Sequence, residues 1–323
     1  MATIRNKKAM TIFTMGIKKS WCIILCLLLL IPISGLSEEK EKDHTLPALL
    51  VTTGVCGGLL VIGAIWRWND VDYTGKWKMG GEGFFGENTY AGGADKFGHA
   101  YANYVEFRTL ARMYELIGLR RENALRLSAL AIFLLGTGVE AIDAFTSYGF
   151  AYDDVIANVC GLSLGYFCEM HPKVDSLIDF RLGYVPSSRY LRMEKGSNFA
   201  RKYISLTNDY SGMTFFLDVK FAGMGKRISN SPLKYFLFGI NYNTIDYSPR
   251  GDDKQRNLGL HIGLNVPVIL IDIFGKDNKG VNISCVVFEY YALPFTNLLF
   301  QYDLNGGKTR LNFGISGRLQ IEF

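Results

Sequence analysis

The run AGGADKFGHAYANYVE, residues 91–106, sets Asp95, Lys96, His99 and Glu106 among small and apolar side chains. On a helix, Asp95 and His99 would lie one turn apart on one face, with Glu106 two turns beyond His99. Further along, Glu140 and Asp143 pair at i, i+3, and Asp154, Asn158, Gly161 and Gly165 recur on one face of a third helical run. Three kinds of chemistry are open to such a set. A histidine oriented by a carboxylate is a general base for hydrolysis or transfer. His99, Glu140, Asp143 and Asp154 are donors for a metal, if one is bound, or for a polar ligand. The third possibility is structural. His99 bonds a carboxylate and ties the helices together, Lys96, Arg108 and Arg112 neutralise the acids, and Asp95 with Asp153 or Asp154 caps helix starts. Our first reading is the tie, since ionisable groups in apolar surroundings are costly unless paired.

Other chemistry finds little support. No serine or cysteine stands in a nucleophile motif, and the glycines of 80–86 lack the strand–turn–helix setting of a phosphate loop. The four histidines, at 44, 99, 171 and 261, are scattered. Cys56, Cys160, Cys168 and Cys285 form no CxxC pair, so we read them as small buried hydrophobes rather than zinc ligands. No cofactor is expected. The net charge of +5 includes no basic patch interleaved with aromatics, so nucleic acid is not an expected partner.

The elements that must position these residues fall into two halves. Lys18 and Lys19 precede the apolar run Trp21–Ile33, and Gly35 and Ser37 follow, which reads 1–37 as an export signal. A charged linker covers 38–45. Residues 46–66 are long enough to span a membrane, but Thr52, Thr53, Gly54, Gly57, Gly58 and Gly63 equally suit a helix packed on protein. After a glycine- and aromatic-rich connector, helical patterns run over about 95–118, 122–145 and 154–170, with Asp153 the expected N-cap of the last. We therefore delimit a helical module of about four helices at 46–175.

From 176 to 323 the period changes to two. MTFFLDVKF (213–221) sets Met213, Phe215, Leu217, Val219 and Phe221 on one face. NLGLHIGLNV (257–266) sets Leu258, Leu260, Ile262, Leu264 and Val266 against Asn257, Gly259, His261, Gly263 and Asn265. The segment LNFGISGRLQIEF (311–323) alternates in the same way, and turn clusters such as SPRGDDK, GKDNKG and NGGK separate the strands. The chain is 49% hydrophobic, 14% aromatic and 20% charged, with 35 glycines, a balance that suits membrane β-structure. The expected fold is α+β, the helical module being followed by an antiparallel β-barrel or barrel-like sheet. Membrane lipid is the expected partner. The barrel-assembly machinery is a second, engaged through the terminal strand ending at Phe323.

The runs FFGENTYAGGADKFGHAYANY (84–104), GVEAIDAF (138–145) and YGFAYDDVIANVCG (148–161) resemble the YfiM-like family, envelope proteins of unknown function whose short members are described as probable lipoproteins. The family positions fall on Asp95, Lys96, His99, Glu140, Asp143, Asp154, Asn158 and Gly161. Longer relatives add a β-rich tail, to whose opening DYSGMTFFLDV (209–219) is similar. Cys22 and Cys26 lie inside the signal core, so lipidation does not transfer, and Ala151 stands where relatives prefer serine. A DKxxH, a later Glu and a DxxxNxxG give a weaker likeness to VanZ-like membrane proteins. The resemblance implies an envelope protein, in the outer membrane on our reading, with no catalytic role attached. The alternatives are an enzyme acting on lipid or cell-wall precursors at a membrane surface and an inner-membrane protein anchored by 46–66.

Overall fold

The computed structural model describes residues 45–66, 73–193, 208–315 and 320–322. The chain forms two compact units, the first of Met1–Gly81 with Ala102–Tyr166, the second of Glu82–Tyr101 with Phe167–Phe323. The expected signal, linker and terminal Phe323 lie outside the described residues.

Four long helices run α1 Thr45–Trp66, α2 Ala94–Leu116, α3 Arg121–Asp143 and α4 Tyr152–Met170, followed by the one-turn α5 Pro172–Asp175. The core of the first unit joins residues from α1, α2 and α3, among them Ala48, Cys56, Leu60, Phe107, Leu110, Leu125, Ile132 and Leu135. Helix α1 is thus packed on protein along one side, while Leu46 and Leu50 stay exposed. Within that seam Thr52 Oγ1 donates to the Ala48 carbonyl at 2.8 Å and accepts from the Tyr114 hydroxyl. Burial pushes the Tyr114 phenol up to about 12. Among the described residues, the helix long and apolar enough to cross a membrane is α3, although 44% of its most apolar window is buried.

In the second unit, seven strands form one antiparallel sheet in chain order: β1 Ile178–Tyr184, β2 Met213–Lys220, β3 Phe236–Ile245, β4 Gln255–Leu264, β5 Asn297–Asp303, β6 Thr309–Phe313 and β7 Gln320–Glu322. The α+β expectation holds, but the barrel needs correction. Among the described residues β1 and β7 do not pair, so the sheet is open. The outer edge of β1 is partly covered instead, by a bridge from Leu182 to Tyr291 and a bond from the Ala292 N–H to the Leu182 carbonyl at 2.9 Å.

Four helices also fail to account for the helical content, because the β-rich half carries α6 Ser188–Met193, α7 Lys226–Ser229, α8 Val266–Phe274 and α9 Lys279–Tyr290. The turn cluster GKDNKG joins two helices rather than two strands. Asn278 caps α9, its Oδ1 accepting from the Gly280 N–H at 2.9 Å. The alternating segment 311–323 is likewise a hairpin and not one strand. Gly314 sits at φ +82°, where an added Cβ would lie 2.7 Å from the Pro294 carbonyl oxygen, and Leu311 then pairs with Ile321.

The two faces of the sheet are inverted relative to a water-soluble core. Leu217, Ile240, Leu260 and Phe300 share one row across β2–β5, and all are exposed. Phe236, Phe238, Leu258, Ile262, Leu298 and Tyr302 extend this exposed face along the strands. On the opposite face Arg181, Asp218, Asn241, His261, Gln301, Arg310 and Asn312 are buried. The beginning of α2 covers one end of the apolar face. Phe97 stacks on Phe215 at 5.6 Å and meets Tyr242 at 4.9 Å, and Tyr101 packs edge-on to Phe180. Those turns of α2 therefore pack on the apolar face of the sheet.

Candidate functional site

In the first unit the site is built where α2, α3 and α4 approach most closely. Asn103 of α2 donates from Nδ2 to Asn158 Oδ1 of α4 at 2.7 Å, and both residues are buried. Gly136 of α3 makes room for this pair. A Cβ there would stand 3.1 Å from Asn158 Nδ2 and 3.2 Å from Asn103 Oδ1. Gly165 serves a similar purpose one layer on, since its Cβ would lie 2.9 Å from the Phe107 ring. The 154, 158, 161 and 165 positions are all buried, so this stripe of α4 faces inward as its spacing predicts.

One turn beyond Gly136 on α3 is Glu140, and one turn before Asn158 on α4 is Asp154. Their carboxylates approach, with an oxygen of each within 4.8 Å of the other. Glu140 and Asp143 are each only 1% exposed. Two acids held so close in a dry place repel unless a proton, a cation or a donor lies with them. Chain geometry fixes both helix ends. The Asp143 carbonyl accepts from the Thr146 hydroxyl at 2.8 Å, and the strand-like connector hydrogen-bonds across the α3–α4 loop, from Gly80 N–H to Phe150 O at 2.8 Å. Helix α4 begins at Tyr152, so Asp153 lies in its first turn and not at the N-cap. There Asp153 Oδ1 packs so close to Gly81 that a Cβ on the glycine would stand 2.9 Å away. Arg108, expected on a solvated face, is fully buried and donates to the Tyr104 hydroxyl at 2.5 Å. Glu106 is half-buried, and desolvation pushes its carboxyl up to about 7.

In the second unit Asp95 and Lys96 are both buried and form an ion pair at 2.8 Å. Gly92 and Gly93, at φ +65° and +91°, turn the connector into α2 just before them, and the Gly92 carbonyl accepts from the Tyr242 hydroxyl. His99 is half-buried in the second turn of α2, one turn ahead of Asn103 on the same helix.

A second polar cluster lies on the buried polar face of the sheet. Asp218 accepts from Arg181 Nε at 2.6 Å through Oδ2 and is bonded to His261 Nε2 at 2.6 Å through Oδ1. Phe216 packs edge-on to the His261 ring at 4.8 Å. Gln301 Nε2 donates to Asn241 at 2.5 Å, and Asn312 Nδ2 donates to Gln301 Oε1 at 2.7 Å. Sequence spacing marks His261 and its neighbours as one face of a strand, but not as a site. Partners on five other strands make the cluster, and no local pattern announces them. Asn103 and Gly136 escaped notice for a related reason, because each acquires its role only from the helix opposite. Among the described residues the cysteines form no disulfide. Cys56 and Cys168 are buried as expected, while Cys160 is exposed.

Residues 81–170 match a family model described as "Predicted periplasmic lipoprotein (DUF2279)". The match covers α2, α3 and α4 and with them all eight residues singled out from the motifs, but not the sheet. It supports an uncharacterised family of the cell envelope. No curated protein and no solved structure matches the chain.

Proposed function

We propose that this chain is a bacterial envelope protein seated in the outer membrane by the apolar face of its sheet, carrying a polar network that ties its helices. The observation that supports the seat is the inverted sheet. Its apolar face exposes at least ten large hydrophobic side chains across β2–β5, a contiguous patch of the kind that marks an interaction surface. In water that arrangement is unfavourable twice over, exposing hydrocarbon and burying amides and charges. In lipid the first term reverses, because the exposed hydrocarbon then meets hydrocarbon, while the buried amides and charges satisfy one another. An open edge in hydrocarbon leaves backbone groups unpaired, and the Tyr291–Ala292 segment along β1 answers part of that cost. Insertion through the C-terminal strand ending at Phe323 belongs to the same proposal, as do the YfiM-like and VanZ-like likenesses of the helical segment.

For the helices the proposal has Asp95, Lys96, His99, Glu140, Asp143, Asp154, Asn158 and Gly161 act together as a structural network. The buried Asn103–Asn158 bond at 2.7 Å, with Gly136 beneath it, supports this. The approach of Glu140 and Asp154 favours a second reading, in which they hold a cation or a polar head group with Asp143 and His99. Fractionation of native cells on a density gradient tests the seat, and sedimentation with the inner membrane would defeat it. Calorimetric titration with zinc, manganese and calcium ions, on wild type and Glu140→Gln, separates the two readings of the network. Saturable binding that the variant loses selects the ligand site. Its absence, together with a large loss of stability in the variant, selects the tie.

A further inference from the structure

One end of the sheet sets exposed cations among exposed apolar side chains, and that combination indicates which surface it meets. At the end holding the β2–β3 and β4–β5 connections, α7 and α8 both pack against the turn Pro232–Tyr235. Lys234 and the Tyr235 hydroxyl both engage Asp272 of α8, which anchors that helix to the turn. The segments 221–235 and 265–290 carry Lys226, Arg227, Lys234, Lys276 and Lys279 against Asp272, Asp277 and Glu289. Lys226, Arg227, Lys276 and Lys279 are exposed, and among the described residues no ion pair engages them. Between them stand exposed apolar side chains: Leu233, Ile273, Phe274 and Ile283. At the opposite end, the 246–254 connection holds Arg250 and Lys254 beside Asp246, Asp252 and Asp253.

Resting on the lipid seat proposed above, we infer that the basic end is a headgroup-binding rim for an anionic glycerophospholipid surface. Its lysines and arginine pair with lipid phosphates while Leu233, Ile273, Phe274 and Ile283 enter the acyl boundary. Apolar anchors interleaved with long cationic side chains are what an interfacial helix pair needs, because the stems lie along hydrocarbon and the charged heads reach the phosphates. The rim is continuous with the apolar sheet face, since Phe236 and Leu264 end the exposed rows where the Pro232–Tyr235 turn and α8 begin. Charge complementarity points to a phosphate-bearing surface, which a neutral apolar partner would not require.

The test is flotation of the full-length protein with vesicles of phosphatidylcholine alone and with vesicles containing about one third phosphatidylglycerol. A cluster of four cations at an anionic surface predicts at least about tenfold tighter binding to the anionic vesicles, weakening as salt rises. The combined variant Lys226→Gln, Arg227→Gln, Lys276→Gln, Lys279→Gln should lose that preference and keep its binding to neutral vesicles. A paired control, Arg250→Gln with Lys254→Gln, should retain it. Equal, salt-insensitive binding to both vesicles, or an equal loss in the control, overturns the rim and leaves the lipid seat standing. Failure to bind either vesicle removes the lipid seat itself.

Discussion

Replacing Leu260 by arginine separates a sheet facing lipid from a sheet facing water. Leu260 is centred in an exposed row, with Ile240 on β3 and Phe300 on β5 directly opposite it in register. Leu258 and Ile262 flank it on its own strand, and the exposed run from Leu258 to Leu264 covers roughly 20 Å of strand at about 3.4 Å per residue. Leu260 itself is 47% exposed, so in water an arginine there would lose little contact. Surface changes of that kind stay within about 0.5 kcal/mol. If the face meets hydrocarbon, the same change buries a guanidinium in the apolar belt. The cost is then roughly 2–4 kcal/mol near the bilayer midplane, falling toward the interfaces. The assay is urea unfolding of the protein refolded into phospholipid vesicles, followed by the loss of the β-sheet signal in far-ultraviolet circular dichroism. Thr109→Arg, at an exposed position on α2, is the control. A loss of about 2 kcal/mol or more in Leu260→Arg, with the control unchanged, is the expected result. Equal, near-zero effects in the two variants would refute a lipid-facing sheet, however well the wild type floats with membranes.

Three further outcomes follow from the interior. The Glu106 carboxyl, raised from 4.5 to about 7 by desolvation, binds its proton more tightly folded than unfolded. Its contribution is complete below about pH 4.5 and is lost as pH rises through 7, to a ceiling of about 3 kcal/mol. Glu106→Gln should therefore flatten the fall in melting temperature between pH 5 and 8, and an unchanged slope would count against the buried carboxyl. Gly136→Val forces a branched side chain against Asn103 and Asn158, where a bare Cβ already has only 3.1–3.2 Å. It should cost about 1–3 kcal/mol by overpacking, measured by denaturant midpoint, with a neutral result excluding the tight three-helix crossing. Asp218→Ala removes the shared acceptor of Arg181 and His261 and strands a buried guanidinium, at an expected cost of about 3–5 kcal/mol. A loss below about 1 kcal/mol would show that water reaches the buried polar face and solvates Arg181.

Much of the helical segment was legible in the sequence because helical period is a local property. Positions 154, 158, 161 and 165 recur on one face whatever packs against them, and the limits of α2, α3 and α4 differ from expectation by about two residues. The misreadings arose where a local pattern is ambiguous. VPVILIDIF is apolar enough for a buried strand or a short helix, and only its Pro267 near the start and the Asn278 cap that follows decide for helices. The alternation of 311–323 continues in sequence across Gly314, so nothing in its period marks the reversal that the positive φ permits. Closure of a sheet is a global property, set by strand number and stagger, and no single strand encodes it.

Alternation alone is equally blind to which face is inside. In NLGLHIGLNV a soluble sandwich would bury Leu258, Leu260, Ile262 and Leu264 against a second layer and turn Asn257 and His261 to water. Here the assignment is the reverse, and the register shows why it is coherent. The buried row places Arg181 beside Phe216, Asn241, Gly259, Gln301 and Arg310 in succession across six strands. Gly259 matters in that row, since a Cβ there would meet the Phe300 carbonyl oxygen at 2.1 Å and Gln301 Cγ at 2.9 Å. Glycine at that position lets Gln301 approach Asn241 from two strands away and bond it. A one-residue slip of β4 would put Leu258 or Leu260 into the amide network and His261 onto the apolar belt, with both groups in the wrong medium. Inward amides and outward leucines therefore fix the same register from opposite sides. That mutual constraint is the one the proposed lipid seat would use, with an outer medium less polar than the buried row.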